Sequence, residues 1–488
     1  MRRGLAAIAA SGLLLAGCSA GEPTPAPATP TTPASESSEP SPAAAYGPAL
    51  GVALSEPVED RVYPDVGDPG VDALHYDLDL TWDPETSVLD GTELLTFRST
   101  QDSRNVRLDL APSMDVSHVR IDGDGVAFEQ HGKDLVVKAP VVLDRRYVVE
   151  IEYDGTPRPV AAPTTRRDAA LVGWTTMSDG STWTMQEPFG AYSWYAVNDH
   201  PSDKALYDFT LRVSAPMVGI ANGELESRHR VDGQTVTKWH LAEPAASYLV
   251  TVTFGDYVTE TDTSAGGVPV SIWMPRPLTS KTDAQLKIAV DSVEWAEDRL
   301  GPYPFDTLGF LFVHSTSGME TQTMITLGLT DYTTSQPVLV HEVVHQWWGD
   351  QVTPRDWRDV WMNEGMTMYL QAMWESENAD VPLEDRLADW ADDGADLRRK
   401  AGAPAAYDPT RFAEANVYYL PAVMWHQVRE RLGDDEFFRL VQEWPASRDN
   451  GHADYDDITT WWEDESGVEL TAVFRKHLLA KQQPAYKP

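Results

Sequence analysis

Two histidines and two glutamates carry a spacing that could do metal chemistry. Residues 341–345 read His-Glu-Val-Val-His, and Glu364 follows His345 after a gap of 18 residues. On a helix, positions i and i+4 share a face, so His341 and His345 point the same way. Two imidazoles so placed can hold one tetrahedral zinc ion through ring nitrogens at roughly 2.0–2.1 Å. Glu342 lies between them and projects beside the metal, where a general base is needed. The bland alternative is an exposed helix that carries two histidines by chance. Val343, Val344 and the following Gln346-Trp347-Trp348 argue against it, because they predict a buried helix continuing through this stretch, and unpartnered imidazoles would be costly there. Trp361-Met362-Asn363-Glu364-Gly365-Met366 then opens a second apolar-periodic stretch running to about Trp374, with Glu364 in its first turn. Two His and one Glu leave a fourth position open for water, which marks a catalytic zinc site rather than a structural one.

The elements that must position these residues fall into two parts, and the fold class they predict is multidomain β plus α/β. From about residue 74 to 255 the pattern is short alternating or apolar runs, among them Leu74–Leu80, Leu135–Lys138, Tyr147–Tyr153, Tyr207–Val213 and Tyr248–Phe254. Asp122-Gly123, Asp124-Gly125 and Asp232-Gly233 punctuate them. This predicts an N-terminal antiparallel β-domain, sandwich-like, over 61–260. A strand (Val268–Met274), a helix (Asp283–Leu300), a strand (Leu308–His314), the two histidine- and glutamate-bearing helices and a helical C-terminus then predict a catalytic domain over 261–488.

The stretch HEVVHQWWGDQVTPRDWRDVWMNEGMTMYL, residues 341–370, closely resembles the zinc aminopeptidases of the aminopeptidase N type, a gluzincin family. Trp194-Tyr195-Ala196-Val197-Asn198-Asp199-His200-Pro201 is similar to the segment that precedes the family's catalytic domain, and Thr184-Met185-Gln186-Glu187 comes before it as expected. Ser317-Gly318-Met319-Glu320-Thr321 is similar to the exopeptidase motif, usually Gly-x-Met-Glu-Asn. The resemblance covers roughly residues 60–485. It implies a thermolysin-like catalytic domain, one Zn2+ per chain held by His341, His345 and Glu364, and Glu342 as general base. It also implies that Glu320, with Gly318 and Met319 beside it and Glu187 helping, holds the free α-amino group of a peptide. Tyr418, in Val-Tyr-Tyr-Leu-Pro-Ala, aligns with the tyrosine that stabilises the oxyanion, and Tyr419 takes that place if the register slips. Ser317 and Thr321 depart from the motif, and Leu420-Pro421 stand where the family usually has a basic residue and Gly. The expected activity is zinc-dependent removal of N-terminal residues from peptides. A gluzincin endopeptidase and a non-catalytic, ligand-binding surface lipoprotein are the alternatives. Without the resemblance, Glu187 and Glu320 read as ordinary charged residues, and Tyr418 and Tyr419 as helix packing.

Outside these elements, the chain opens with Met1-Arg2-Arg3 and an apolar run from Leu5 to Ala16, a leader pattern too short to span a bilayer. Leu15-Ala16-Gly17-Cys18 is similar to the bacterial lipoprotein box. The expectation is a signal peptide over 1–17 and a lipidated Cys18, which would hold the protein on the extracytoplasmic side of a bacterial membrane in the cell envelope. Cys18 is the one cysteine in the sequence, so no internal disulfide forms. Residues 18–60 are rich in Pro, Ala, Ser, Thr and Glu, which predicts a disordered stalk. With 76 acidic against 38 basic residues the net charge is −38; such a chain repels polyanions, so nucleic acid is not an expected partner. A monomer is expected, acting on peptide substrates with a free N-terminus.

Overall fold

The computed structural model describes residues 49–379 and 381–485. The expected leader, Cys18 and the stalk as far as residue 48 lie outside the described residues. The stalk expected over 18–60 does not extend to its full length. Ala53 is buried against Leu74 and Leu206, and the Ser55 amide donates to Asp72. The Asp60 carboxylate accepts from the amides of Val62, Tyr63 and Trp357. Composition hid this, because one small apolar side chain and one capping carboxylate suffice to dock an otherwise polar segment.

The first large sheet contains β1 (Val71–Asp83), β2 (Val88–Ser99), β3 (Met114–Ile121), β4 (Asp124–Gly125), β5 (Arg146–Gly155), β6 (Lys204–Ser214), β7 (Glu224–Val231) and β8 (Gln234–Ala246). Their order is β7-β8-β6-β1-β2-β5-β3-β4. Along β1, Tyr76, Leu78, Leu80 and Trp82 are buried and alternate with half-exposed His75, Asp77, Asp79 and Thr81. That is the period-2 pattern of a strand with one face on a core. All neighbours are antiparallel except β1 and β6, which pair in parallel from His75–Leu206 to Trp82–Val213. Side-chain alternation is the same in either direction, so the sequence pattern could not reveal that pair. A hairpin of Leu171–Thr176 and Thr182–Met185 covers the sheet, with Trp174 packed on Trp82 and Phe254. The run Tyr248–Phe254 is a strand only over Val252–Gly255. Tyr248 instead lies in a short turn and donates its phenol to Gly349 O at 2.9 Å.

The second sheet has β9 (Tyr257–Thr263), β10 (Pro269–Pro275), β11 (Leu308–Val313), β12 (Gly318–Met319) and β13 (Met324–Gly328), in the order β9-β10-β11-β13-β12. The inner three are parallel and the two edges antiparallel. Every residue of β11 and β13 is buried, as continuous apolar runs in parallel sheets require. Around this sheet stand α1 (Thr282–Leu300), α2 (Gln336–His345), α3 (Trp361–Asn378), α4 (Leu383–Ala401), α5 (Ala415–Leu432), α6 (Asp434–Ser447) and α7 (Tyr455–Ser466). Helices α3 and α5 cross with almost no gap. A Cβ added at Gly365 would sit 2.3 Å from the Pro421 Cβ, so the glycine after Glu364 and the unusual proline after Leu420 are two halves of one close contact. No helix among the described residues is long and apolar enough to cross a membrane.

Candidate active site

Helix α2 is buried along most of its length. Val338, Leu339, Val340, Val343 and Val344 pack inward, and His341 and His345 emerge together at its end. The helix stops at His345 rather than continuing through Trp348. The next turn closes back on it, with Asp350 N donating to His345 O and the His345 ring facing Trp348 O through Nδ1 at 3.0 Å. A carbonyl can only accept, so Nδ1 carries a proton, and Nε2 is the ring nitrogen left to face the cleft. Helix α3 is buried from Trp361 to Trp374 and delivers Glu364 from its first turn.

These three side chains converge. His341 Nε2 lies 3.1 Å from His345 Nε2, and Glu364 Oε2 lies 3.5 Å from each. Donors around one tetrahedral zinc at roughly 2.0–2.1 Å must stand about 3.3 Å apart. Glu364 Oε2 is buried and makes no hydrogen bond. A buried carboxylate oxygen without a hydrogen bond, facing two imidazole nitrogens, fits a cation. Burial alone would raise the Glu364 carboxyl, yet the two imidazoles override it and hold it down to about 2. The residues present therefore fit a zinc ion.

Three further carboxylates share the cleft. Glu342 lies beside the triad. Burial, aided by Glu320 and Glu364 against the pull of His345, pushes it up to about 8. Glu320 follows the edge strand β12 and is buried. Glu187 follows the hairpin of the first domain and is partly buried. Burial raises both, and neighbouring carboxylates raise them further, with His345 opposing. One oxygen of each, Oε1, has no hydrogen-bond partner. Two carboxylates in a desolvated wall with unsatisfied oxygens can hold a cationic group such as an ammonium.

Tyr418 and Tyr419 separate clearly. The Tyr418 ring lies 6.2 Å from the His341 ring at an interplanar angle of 22°, and its hydroxyl accepts from Arg166 Nη1 at 3.1 Å. Tyr419 stacks on Trp390 at 4.7 Å and 3°. Gly318 and Met319 line the same cleft, which encloses about 350 Å³, enough for a small part of a peptide.

Two residues escaped the sequence reading. Gln346 donates to Glu320 O at 2.9 Å and to Asp350 Oδ2 at 2.6 Å, and it accepts from Thr323 N and Tyr303 Oη. It thus ties the loop bearing Glu320 to the end of α2. In the sequence it stands only as part of the run Gln346-Trp347-Trp348, with no spacing to mark it. Arg166 lies on a loop of the first domain, where no periodicity or spacing distinguishes it.

Residues 72–249 match the Peptidase M1 N-terminal domain, and residues 284–477 match the Peptidase family M1 domain. Aminopeptidase N of Lactobacillus helveticus is 25% identical over 446 residues, 84% of this chain and 51% of that protein. Aminopeptidase N of Streptomyces lividans is 22% identical over 436 residues, 82% of this chain and 49% of that protein. The chain spans about half the length of these curated relatives. Among solved structures, an M1 zinc metallopeptidase from Deinococcus radiodurans superposes with a TM-score of 0.78 at 24% identity, over 88% of this chain and 98% of that one. A mutant of a Deinococcus radiodurans M1 zinc metallopeptidase, bound to a Tyr-Ser-Ala substrate, superposes at 0.79.

Proposed function

The chain belongs to peptidase family M1, and on that premise we propose that it is a zinc-dependent aminopeptidase that removes residues from the free N-terminus of peptides. His341, His345 and Glu364 would hold the zinc. When bound, the ion supplies Lewis-acid polarisation of the scissile carbonyl and makes a water easier to deprotonate. Glu342 takes the water's proton and passes it to the leaving amine. The Tyr418 hydroxyl donates to the carbonyl oxygen as it gains negative charge. Glu187 and Glu320 pair with the ammonium of the first residue.

The observation that carries this reading is the pair of orphaned oxygens on Glu187 and Glu320 in the same cleft as the three donors. An ammonium fixed there sets one distance to the reacting centre, so the first peptide bond and no later one reaches it. The test is a panel of peptides with free and N-acetylated termini. We expect cleavage of the free peptides alone, and a loss of at least about tenfold in kcat/KM for Glu320→Ala. Equal cleavage of acetylated peptides would instead favour an endopeptidase. The proposed site of action, the outer face of a bacterial membrane, rests on the Leu15-Ala16-Gly17-Cys18 box; Cys18→Ala should move the protein from the membrane to the soluble fraction.

A further inference from the structure

We propose that Arg166 is a positioning residue for this reaction, fixing the Tyr418 hydroxyl so that its proton faces the cleft. The inference rests on the aminopeptidase reading and adds to it a residue contributed by the first domain.

Arg166 is tightly placed. Nη1 donates to Tyr418 Oη at 3.1 Å and to Ala413 O at 3.2 Å. Nη2 and Nε reach the Asp168 carboxylate at 2.5 and 3.4 Å. The loop that carries it is clasped to the segment leading into α5. Thr164 Oγ1 donates to Phe412 O at 2.8 Å, Phe412 N donates to Pro163 O at 2.8 Å, and Thr165 pairs with Glu414. The guanidinium is thus held from both sides, by a first-domain loop and by the backbone of the catalytic domain.

A phenol oxygen has one proton to donate and lone pairs to accept with. Arg166 can only donate, so it occupies a lone pair and leaves the Tyr418 proton for another acceptor. Among the described residues the phenol donates to none, and its ring stands against His341 in the cleft wall. Among the described residues Arg166 is also the one Arg or Lys lining this cleft, whose acids are Asp168, Glu187, Glu320, Glu342, Glu364 and Glu414. Without it, the Tyr418 hydroxyl would be free to rotate and donate to one of these carboxylates, where it could not serve an oxyanion. A fixed donor aimed at developing charge needs no reorganisation during reaction. Arg166 could instead receive a substrate carboxylate, but its donors are already committed to Asp168, Ala413 and Tyr418, with a single Nη2 N–H left over.

The test compares the parent protein with Arg166→Met, Arg166→Lys, Tyr418→Phe and the double variant Arg166→Met/Tyr418→Phe. Two substrates are used: an aminoacyl anilide, which has no C-terminal carboxylate, and a dipeptide, which has one. We expect Arg166→Met to lower kcat about tenfold or more on both substrates, with KM little changed and zinc content intact, since removal of an oxyanion donor itself costs about 10²–10³. Arg166→Lys should recover part of the loss. In the Tyr418→Phe background Arg166→Met should cost less than about twofold, because residues acting through one group are non-additive. A phosphinic dipeptide analogue, which carries a tetrahedral oxyanion, should bind Arg166→Met more weakly, while the free amino-acid product binds it unchanged. A loss confined to the dipeptide, a change in KM alone, or a full further loss in the Tyr418→Phe background would overturn the inference. A parent protein that cuts anilides, paired with an unimpaired Arg166→Met, sinks the inference alone. A parent protein that leaves free aminoacyl anilides intact sinks the aminopeptidase reading and the inference with it.

Discussion

Gly318 lies directly against the Glu342 carboxylate: a Cβ at position 318 would stand 2.6 Å from Glu342 Oε1 and 3.3 Å from its Cδ. The glycine of the edge strand thus leaves room for the carboxylate proposed to accept a proton. Gly318→Ala forces the carboxylate to move, because no real Cβ contact is that short. The moving atoms are the end of a flexible side chain, so the cost in stability should stay below about 1 kcal/mol. The cost in rate should be larger, about 10- to 100-fold in kcat, since misplacing a reacting group by about 1 Å has effects of that size. Steady-state kinetics beside a melting curve check this. An alanine variant with the parent kcat would mean that Glu342 is not held where the chemistry needs it.

Removing the metal should affect stability as well as activity. The folded triad is assembled, with Glu364 Oε2 unsatisfied between two imidazoles. A ligand that binds only the folded state stabilises it by about 4 kcal/mol at 1,000 times its dissociation constant. Protein stripped by a chelator should therefore melt several degrees lower and regain its Tm as Zn2+ reaches one equivalent. Glu342→Gln should keep that shift while losing turnover, and His345→Ala should lose both. Calorimetry with metal titration reads the outcome, and a His345→Ala variant with an undiminished shift would place the ion elsewhere.

How much of this was legible in the sequence follows from how local each signal is. The i, i+4 spacing of His341 and His345 and the apolar periods of α2 and α3 are properties of single helices, so the triad could be read from them. The same holds for Asp283–Leu300, which forms α1 almost to the residue, and for the alternation in β1. The parallel β1–β6 pair was invisible because alternation carries no direction. The end of α2 at His345 was invisible because a ring-to-carbonyl bond inside the following turn, not a helix-breaking residue within the motif, closes it. Tyr418 was separated from Tyr419 only by partners far away in the chain, Arg166 on one side and Trp390 on the other. Gln346 and Arg166 act through bonds to loops, for which no spacing rule exists.

A last prediction concerns acid stability and lies away from the cleft. His477 is buried, with Nε2 3.2 Å from Gln427 Oε1 and Nδ1 unpartnered. Burial, with Arg398 and Lys476 adding like charge, lowers it to about 3. Arg398 is itself lowered to about 10 by burial and spends its donors on the carbonyls of His477 and Ala480 and on Gln483, so among the described residues no carboxylate offsets either cation. In the unfolded chain a histidine titrates near 6.5. Between roughly pH 6.5 and 3 the unfolded state therefore binds a proton that the folded state refuses, and stability falls as the pH falls through that window. At pH 4.5 this one group should cost about 2 to 3 kcal/mol relative to pH 7.5. His477→Gln, which cannot charge, should lose correspondingly less between the two pH values in urea unfolding. Other buried groups titrate equally in both proteins and cancel in the difference. Parallel losses in parent and variant would show that His477 takes up its proton without unfolding, and that the C-terminal segment it belongs to opens to water before the core does.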